Sequence, residues 1–341
     1  MPNVTVIANA HFPGGGEMST IQICRQLRDR GDTLTFHPTG QISPRLSFPP
    51  DVRIGRPYQT VQPQRSDLLV FVANDHIHGL ARPDHPLLRW ARLADRAVCV
   101  LNFSIGQVLS RPYAGVWDLC CCLNGQMAAR IRQTDPSVRI AVRPPCVDLS
   151  PFLPICPDYS RISLVRHSKV MKYPSDGAGQ LSRLIRAHRA VPSAPPLSLT
   201  FQTAPPSFSQ LIGPYLSVPL FSQPVADLLA AGSLFWYALP PRLRDQGPRA
   251  VVEAMAAGLP CMVDDRDGCA DRVTPQTGWL CRTAADWELA FQEILERPEL
   301  LAQKGRAAKE RARTAFDPSG WADTLWGRTE RLGAGIVPCA K

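Results

Sequence analysis

"RDQGPRAVVEAMAAGLPCMVDD", residues 244–265, reads as a loop, a short amphipathic helix, a glycine break and a strand. Pro248 suits the first helical position, where its fixed φ is preorganised and its missing N–H is not needed. Gly247 lets the backbone approach a ligand closely. The N–H groups of residues 249–251, Arg249 and Ala250 among them, then face an anion with the helix dipole behind them. Asp245 precedes the helix and Glu253 lies inside it, eight residues later. Carboxylates favour the N-terminal half of any helix, which is one use for the pair. The other arises if the helix end holds a phosphate: Asp245 is then placed for sugar hydroxyls and Glu253 for those of a ribose.

On both sides of this stretch, short β-rich runs alternate with helical patterns. In the first half the runs are VTVIA (4–8), TLTFH (33–37), DLLVFVA (67–73), AVCVLNF (97–103), DLCCCL (118–123) and VRIAV (138–142). A helix around 18–30 stops at Gly31, and another over 124–133 is capped by Asn124. The segment RPPCVDLSPFLPICPD (143–158) carries five prolines and continues neither helix nor central strand, so it reads as a linker. The alternation then restarts with RISLV (161–165), a helix over 177–190, LSLTF (197–201), a helix over 223–230 and SLFWY (233–237), followed by the opening helix, placed at 248–257, and PCMV (260–263). Helices dominate from 284 onward. Near-continuous apolar strands separated by helices predict parallel sheets covered on both faces. The expectation is two Rossmann-like domains, 1–148 and 149–317, their sheets facing across a cleft, with a helix within 318–341 returning towards the first. No repeat of 20–50 residues is visible.

Composition narrows the function classes. The 341 residues are 45% hydrophobic and 20% charged, an ordinary globular balance. No run of 18 apolar residues occurs, and "MPNVTVIANA" lacks a basic region ahead of its apolar residues, so a cytoplasmic address is expected. The net charge of +9 is carried by arginine, lysine occurring only at 169, 172, 304, 309 and 341. No long basic run with interleaved aromatics appears, which argues against nucleic acid. An anionic small ligand, or loose contact with an anionic membrane face, fits the excess. The eleven cysteines show no metal-ligand spacing, and the run Cys120-Cys121-Cys122 on a strand cannot turn all its thiols one way. Reduced, buried cysteine is expected.

Three further stretches carry polar chemistry. "FPGGGE" (12–17) sets Gly14, Gly15 and Gly16 between the first strand and its helix, where positive φ and close approach to an anion are open to glycine. It is neither the dinucleotide fingerprint nor a Walker loop. "LVRHSKVMKYP" (164–174) places Arg166, His167, Lys169 and Lys172 in one loop after a strand, a composition suited to a diphosphate and equally to a solvated basic loop. "DDRD" (264–267) has the look of a metal motif, but solvated or helix-capping carboxylates are the simpler reading, and no metal site is expected.

As a set these stretches resemble the retaining GT-B glycosyltransferases of the large family-four group. "DQGPRAVVEAMAAGLPCMVDDRDGCADRV" is similar to the family's Glu-x7-Glu segment, and "PPCVDLSPFLP" to its interdomain stretch. "VRHSKVMKYP" is similar to its diphosphate-gripping loop and "FPGGGE" to its first glycine loop. The match runs collinearly over nearly the whole chain and is strongest from 143 to 282. The resemblance implies diphosphate binding by Arg166 and Lys172, ribose binding by Glu253, and sugar contacts from Asp245 and the 246–250 backbone. It implies that Gly14–Gly16 close on the phosphates from the other domain. It further implies a nucleotide-sugar donor, a hydroxyl acceptor and no cofactor or metal. Two departures stand out: Asp245 is one methylene shorter than the usual Glu, and Asn102 stands where the family often has histidine. Asn donates a hydrogen bond but cannot shuttle a proton, so His76 or His78 is a candidate substitute. A nucleotide-sugar epimerase or hydrolase of the same fold, or an inactive binding subunit, is the alternative reading.

Overall fold

The computed structural model describes residues 1–73, 84–102, 115–134 and 136–328. It divides into two compact units, Met1–Cys146 joined by the segment from Pro318, and Val147–Asp317.

The strands of unit 1 are β-branched and cysteine-rich runs buried on both faces at the centre of the sheet, and partly or fully exposed towards its edges. They are β1 (Asn3–Ala8), β2 (Thr33–Pro38), a two-residue β3 (Arg53–Ile54), β4 (Leu68–Ala73), β5 (Ala97–Leu101), β6 (Leu119–Cys122) and β7 (Ile140–Val142). They make one parallel sheet ordered β3-β2-β1-β4-β5-β6-β7. Val6 of β1 lies opposite Phe36 on one side and Val70 on the other. Helices α1 (Gly15–Asp29), α2 (Pro86–Leu93) and α3 (Gly125–Thr134) follow β1, β4 and β6. Asn124 caps α3 as its sequence implies, its Oδ1 accepting the Met127 N–H at 2.8 Å. The three consecutive cysteines alternate as a strand requires, Cys121 packing into one apolar layer and Cys120 and Cys122 into the other. No disulfide joins the described cysteines, and all but Cys156 are buried.

In unit 2 the strands are β8 (Ile162–Arg166), β9 (Leu197–Gln202), β10 (Leu216–Val218), β11 (Leu234–Tyr237), β12 (Cys261–Asp264) and β13 (Gly278–Cys281). Their parallel order is β10-β9-β8-β11-β12-β13. The helices are α4 (Gly177–Arg189), α5 (Val225–Ala230), α6 (Arg249–Ala256), α7 (Asp267–Arg272), α8 (Ala284–Glu296) and α9 (Glu299–Ala315). One apolar layer lies under α4 and α8, the other under α6 and α9. Gly258 follows α6 at φ +89°, the left-handed turn that glycine accepts without strain and that ends the helix.

The proline-rich stretch is not a loose tether along its length. Cys146 is fully buried in the core of unit 1 and the next residue, Val147, in that of unit 2, joined there by Leu149 and Phe152. On the return, Phe316 belongs to the core of unit 2, while Trp321 and Leu325 of α10 (Trp321–Trp326) fill that of unit 1. Among the described residues no helix is long and apolar enough to cross a membrane.

Candidate functional site

In unit 2 the strand order reverses between β8 and β11, which are paired neighbours. The carboxyl ends of strands at such a switch point leave a crevice where α/β proteins bind ligands. Here Arg166 ends β8 and Tyr237 ends β11, Lys172 closes a 3-10 turn (Val170–Lys172), and Asp245 lies in the loop after β11. Lys172 Nζ sits 2.5 Å from Asp245 Oδ2. The Tyr237 hydroxyl donates to the same oxygen at 2.7 Å and lies 3.3 Å from Nζ. Burial pushes the Asp245 carboxyl up, but the charge and hydrogen bond of Lys172, the Tyr237 hydroxyl and the Gly247 N–H outweigh it and hold the group below its ordinary 3.8. Burial, with the Asp245 charge adding to it, drives the Tyr237 phenol well above its ordinary 10.0, so it stays a donor. The family resemblance assigns Lys172 and Asp245 to different parts of a ligand; the fold places them against each other.

Arg166 corrects the sequence expectation of a fork presented to a diphosphate. Its side chain is 0% exposed. Nη1 donates to the Ala238 carbonyl and Nη2 to that of Lys172, each at 2.6 Å, and Nε donates to Ser168 Oγ at 3.0 Å. The guanidinium stacks over Tyr173 (4.1 Å to the ring centre), Tyr237 (4.8 Å) and Trp236 (5.1 Å). Desolvation lowers its pKa. Arg166 therefore fixes the backbone of Lys172 and the end of β11, and aims the ammonium indirectly.

The opening stretch forms α6, one residue later than its sequence suggested: Pro248 is the N-cap. Val251 and Val252 both donate to the Pro248 carbonyl, so the expectation of an available N–H at residue 251 is corrected, and Arg249 and Ala250 lead the helix. Glu253, one turn in and 5% exposed, is held by Arg249 Nε through Oε1, and its Oε2 lies 3.3 Å from His167 Nε2 without hydrogen-bond geometry. Arg249 Nη1 is enclosed with no acceptor. Burial lowers the His167 pKa, against the opposing pull of Glu253, and keeps the ring neutral. Gly268 of α7 makes this loop possible, because a Cβ there would stand 2.3 Å from the Gln246 carbonyl oxygen and 2.7 Å from Pro248 Cδ.

An open pocket of about 300 Å³ lies at the same sheet edge, bordered by Leu239, Asp264, Arg266, Arg282 and Trp287. Each acid of "DDRD" meets an arginine: Asp264 pairs with Arg266 at 3.3 Å, Asp265 with Arg282 at 2.6 Å and Asp267 with Arg244 at 3.2 Å. Among the described residues no cluster of three metal-ligating side chains occurs.

Solved structures share this fold. Sucrose-phosphate synthase from Thermosynechococcus elongatus matches with a TM-score of 0.66 at 14% identity, over 96% of this chain and 98% of its own. HepE of Anabaena, in complex with UDP and glucose, matches with a TM-score of 0.68 at 15% identity, over 97% and 100%. A glycosyltransferase from Rickettsia africae matches with a TM-score of 0.67 at 10% identity, over 97% and 100%. The fold is that of the GT-B glycosyltransferases. No protein-family model matches the chain, and no curated protein sequence does.

The GT-B fold also gives unit 1 a switch point, between β1 and β4. The glycine run lies there; α1 starts at Gly15 with Gly14 as its N-cap at φ −90°, and none of the three takes the positive φ open to glycine. These glycines serve as a bare helix N-terminus instead. Asn102 follows β5, is 8% exposed, and donates its backbone N–H to Ala73 at 3.2 Å. His76 and His78 lie outside the described residues. Sequence reasoning missed two polar groups of this GT-B chain. Tyr237 looked like one more apolar strand residue, although a phenol at the carboxyl end of a central strand is a usable signal. His11, after β1, has its ring Nδ1 2.5 Å from Asn9 Oδ1.

Proposed function

We propose that this chain is a retaining glycosyltransferase that moves a sugar from a nucleotide-diphosphate sugar to an acceptor hydroxyl without a metal. The observation that carries the reading is the Lys172–Asp245–Tyr237 cluster at the switch point of unit 2, ahead of the α6 N-terminus. A cation, a buried carboxylate and a helix end together match a diphosphate joined to a polyol. Related folds are solved with UDP and with UDP-glucose, which makes a uridine donor the first to try. Lys172 and the N–H groups of Arg249 and Ala250 take the diphosphate, Glu253 the ribose, and Asp245 the transferred sugar. Gly14–Gly16 and Asn102, with His76, belong to acceptor and phosphate handling in unit 1.

The bond from the anomeric carbon to the phosphate oxygen breaks with its electron pair remaining on phosphate. The acceptor oxygen bonds to the same face of that carbon, and its proton passes to the departing phosphate. Fixed positive groups at the diphosphate stabilise the growing charge, the largest single electrostatic effect available to such a site. The net charge of +9 suits an acceptor carried at an anionic membrane face. A panel of nucleotide sugars tests the reading, with release of nucleotide diphosphate measured with and without acceptor extract and in EDTA. Release that needs acceptor and survives EDTA supports it. Release without acceptor indicates a hydrolase, binding without release indicates a binding subunit, and loss of release in EDTA removes the metal-free part.

A further inference from the structure

We infer that Tyr237 is a positioning residue whose hydroxyl keeps Asp245 charged and oriented when Lys172 turns to a diphosphate. This inference rests on the donor site proposed above, and the geometry of the cluster carries it. Asp245 Oδ2 is shared by one ammonium and one phenol, while its side chain is only 10% exposed. The ammonium belongs to a half-buried, flexible side chain on a turn, its side chain 33% exposed. The phenol belongs to a ring that cannot leave. It is 1% exposed, stacked on Phe235 at 5.8 Å and 17°, and capped by the Arg166 guanidinium.

An anion that draws Lys172 away removes the cation that touches Asp245 among the described residues. The groups then facing the carboxylate are the Tyr237 hydroxyl and the Gly247 N–H, with Arg272 of α7 acting through charge at longer range and the Cys269 thiol of α7 nearby. The Cys269 thiol is raised well above its ordinary value by burial and stays neutral, and the Tyr237 phenol stays protonated. Of the remaining direct donors, only Tyr237 comes from the sheet itself. Its hydroxyl is oriented by a rigid strand end and keeps one Asp245 oxygen fixed, which leaves the other for a sugar hydroxyl. The hydroxyl also accepts from Lys172, so the ammonium moves between two oxygens and the diphosphate without losing all contact.

Tyr237→Phe retains the ring, its stacking and its burial, and removes only the hydroxyl. Two measurements follow. In the first, the Asp245 carboxyl is titrated by ¹³C NMR in the ligand-free proteins, with Asp245→Asn to assign it. Its midpoint rises by about one pH unit in Tyr237→Phe, since a hydrogen bond to the charged form is lost. In the second, UDP affinity is compared with single-turnover rate over pH. UDP affinity stays within about threefold of the parent, the rate falls roughly tenfold or more, and the acid limb of the rate profile moves to higher pH. An unchanged Asp245 midpoint overturns the inference whatever the protein transfers. A parent rate and acid limb in the variant overturn it equally, and so does a loss of UDP affinity matching the loss of rate. A raised midpoint in a protein that binds no nucleotide diphosphate leaves Tyr237 as a donor that holds Asp245 charged, but it overturns the diphosphate step of the inference together with the donor-site reading.

Discussion

Removing the Arg166 guanidinium leaves the carbonyls of Ala238 and Lys172 without donors inside a box of Tyr173, Trp236 and Tyr237, whereas removing the Lys172 ammonium opens a half-buried site. Two cations six residues apart therefore fail differently. Arg166→Ala is expected to cost about 3 kcal/mol of folding stability, from orphaned carbonyls and lost packing. Lys172→Ala should leave the melting temperature nearly unchanged and weaken nucleotide-diphosphate binding by about 1.5–3 kcal/mol. Thermal melts paired with calorimetric titration of both variants check this, and equal melting temperatures would refute the structural role of Arg166. His167 sets a pH dependence. Its folded pKa is below the ordinary 6.5 because burial disfavours the cation. As pH falls below about 6.5 the unfolded chain takes up the proton first, so stability complete at neutral pH is lost progressively towards the folded value. Denaturant titrations from pH 7.5 to 5 should show a shallower loss for His167→Gln than for the parent; parallel curves would remove His167 as the cause. Residue types and spacing drew attention to Asp245 and Glu253, and the family resemblance to Lys172. That Lys172 pairs with Asp245 was not legible, because 73 residues separate them and only the sheet order brings them together.

At the level of elements, legibility followed burial. β1, β4 and β8 were readable because strands buried on both faces are mostly apolar, β4 entirely so. The edges were not. β3 has two residues, both exposed, and β10 has three, so neither leaves a hydrophobic signature. β13 begins with a glycine and α2 with a proline, residues that read as loop. Gly268 was equally silent, since the constraint comes from a loop more than twenty residues earlier rather than from its own φ. Gly268→Ala presses a Cβ onto the Gln246 carbonyl and Pro248, backbone and ring that cannot rotate aside. A loss of about 1–3 kcal/mol is expected, together with weaker nucleotide binding as the loop ahead of α6 shifts. Gly179→Ala in α4 is the control, since its new methyl meets nothing nearer than the Arg183 tip at 3.9 Å and should stabilise by up to about 1 kcal/mol. Denaturant midpoints separate the two; a neutral Gly268→Ala would mean the loop yields without cost.

The whole molecule is a chain that visits unit 1 twice. Trp321 is 1% exposed, Leu325 is 0% exposed, and both sit in the layer formed by Val4, Ile23 and Val70. Trp321→Ala should lower the stability of unit 1 by about 3–5 kcal/mol. Unit 2 should be unaffected, because α10 contributes nothing to its core. Hydrogen exchange read by mass spectrometry distinguishes the cases: faster exchange in β1 and β4 with β8 and β11 unchanged is the expected pattern, and uniform acceleration would contradict it.

The same threading sets a timetable for synthesis. Translation runs towards the C-terminus, so residues 147–317 can complete their own unit as soon as they clear the exit tunnel. The earlier stretch waits, with the slot for Trp321 and Leu325 unfilled, until the segment from Pro318 has been made. The half that is translated first is therefore the half that finishes last. Nascent chains arrested just before that segment carry bare apolar surface on their oldest part, and that is where a chaperone would bind.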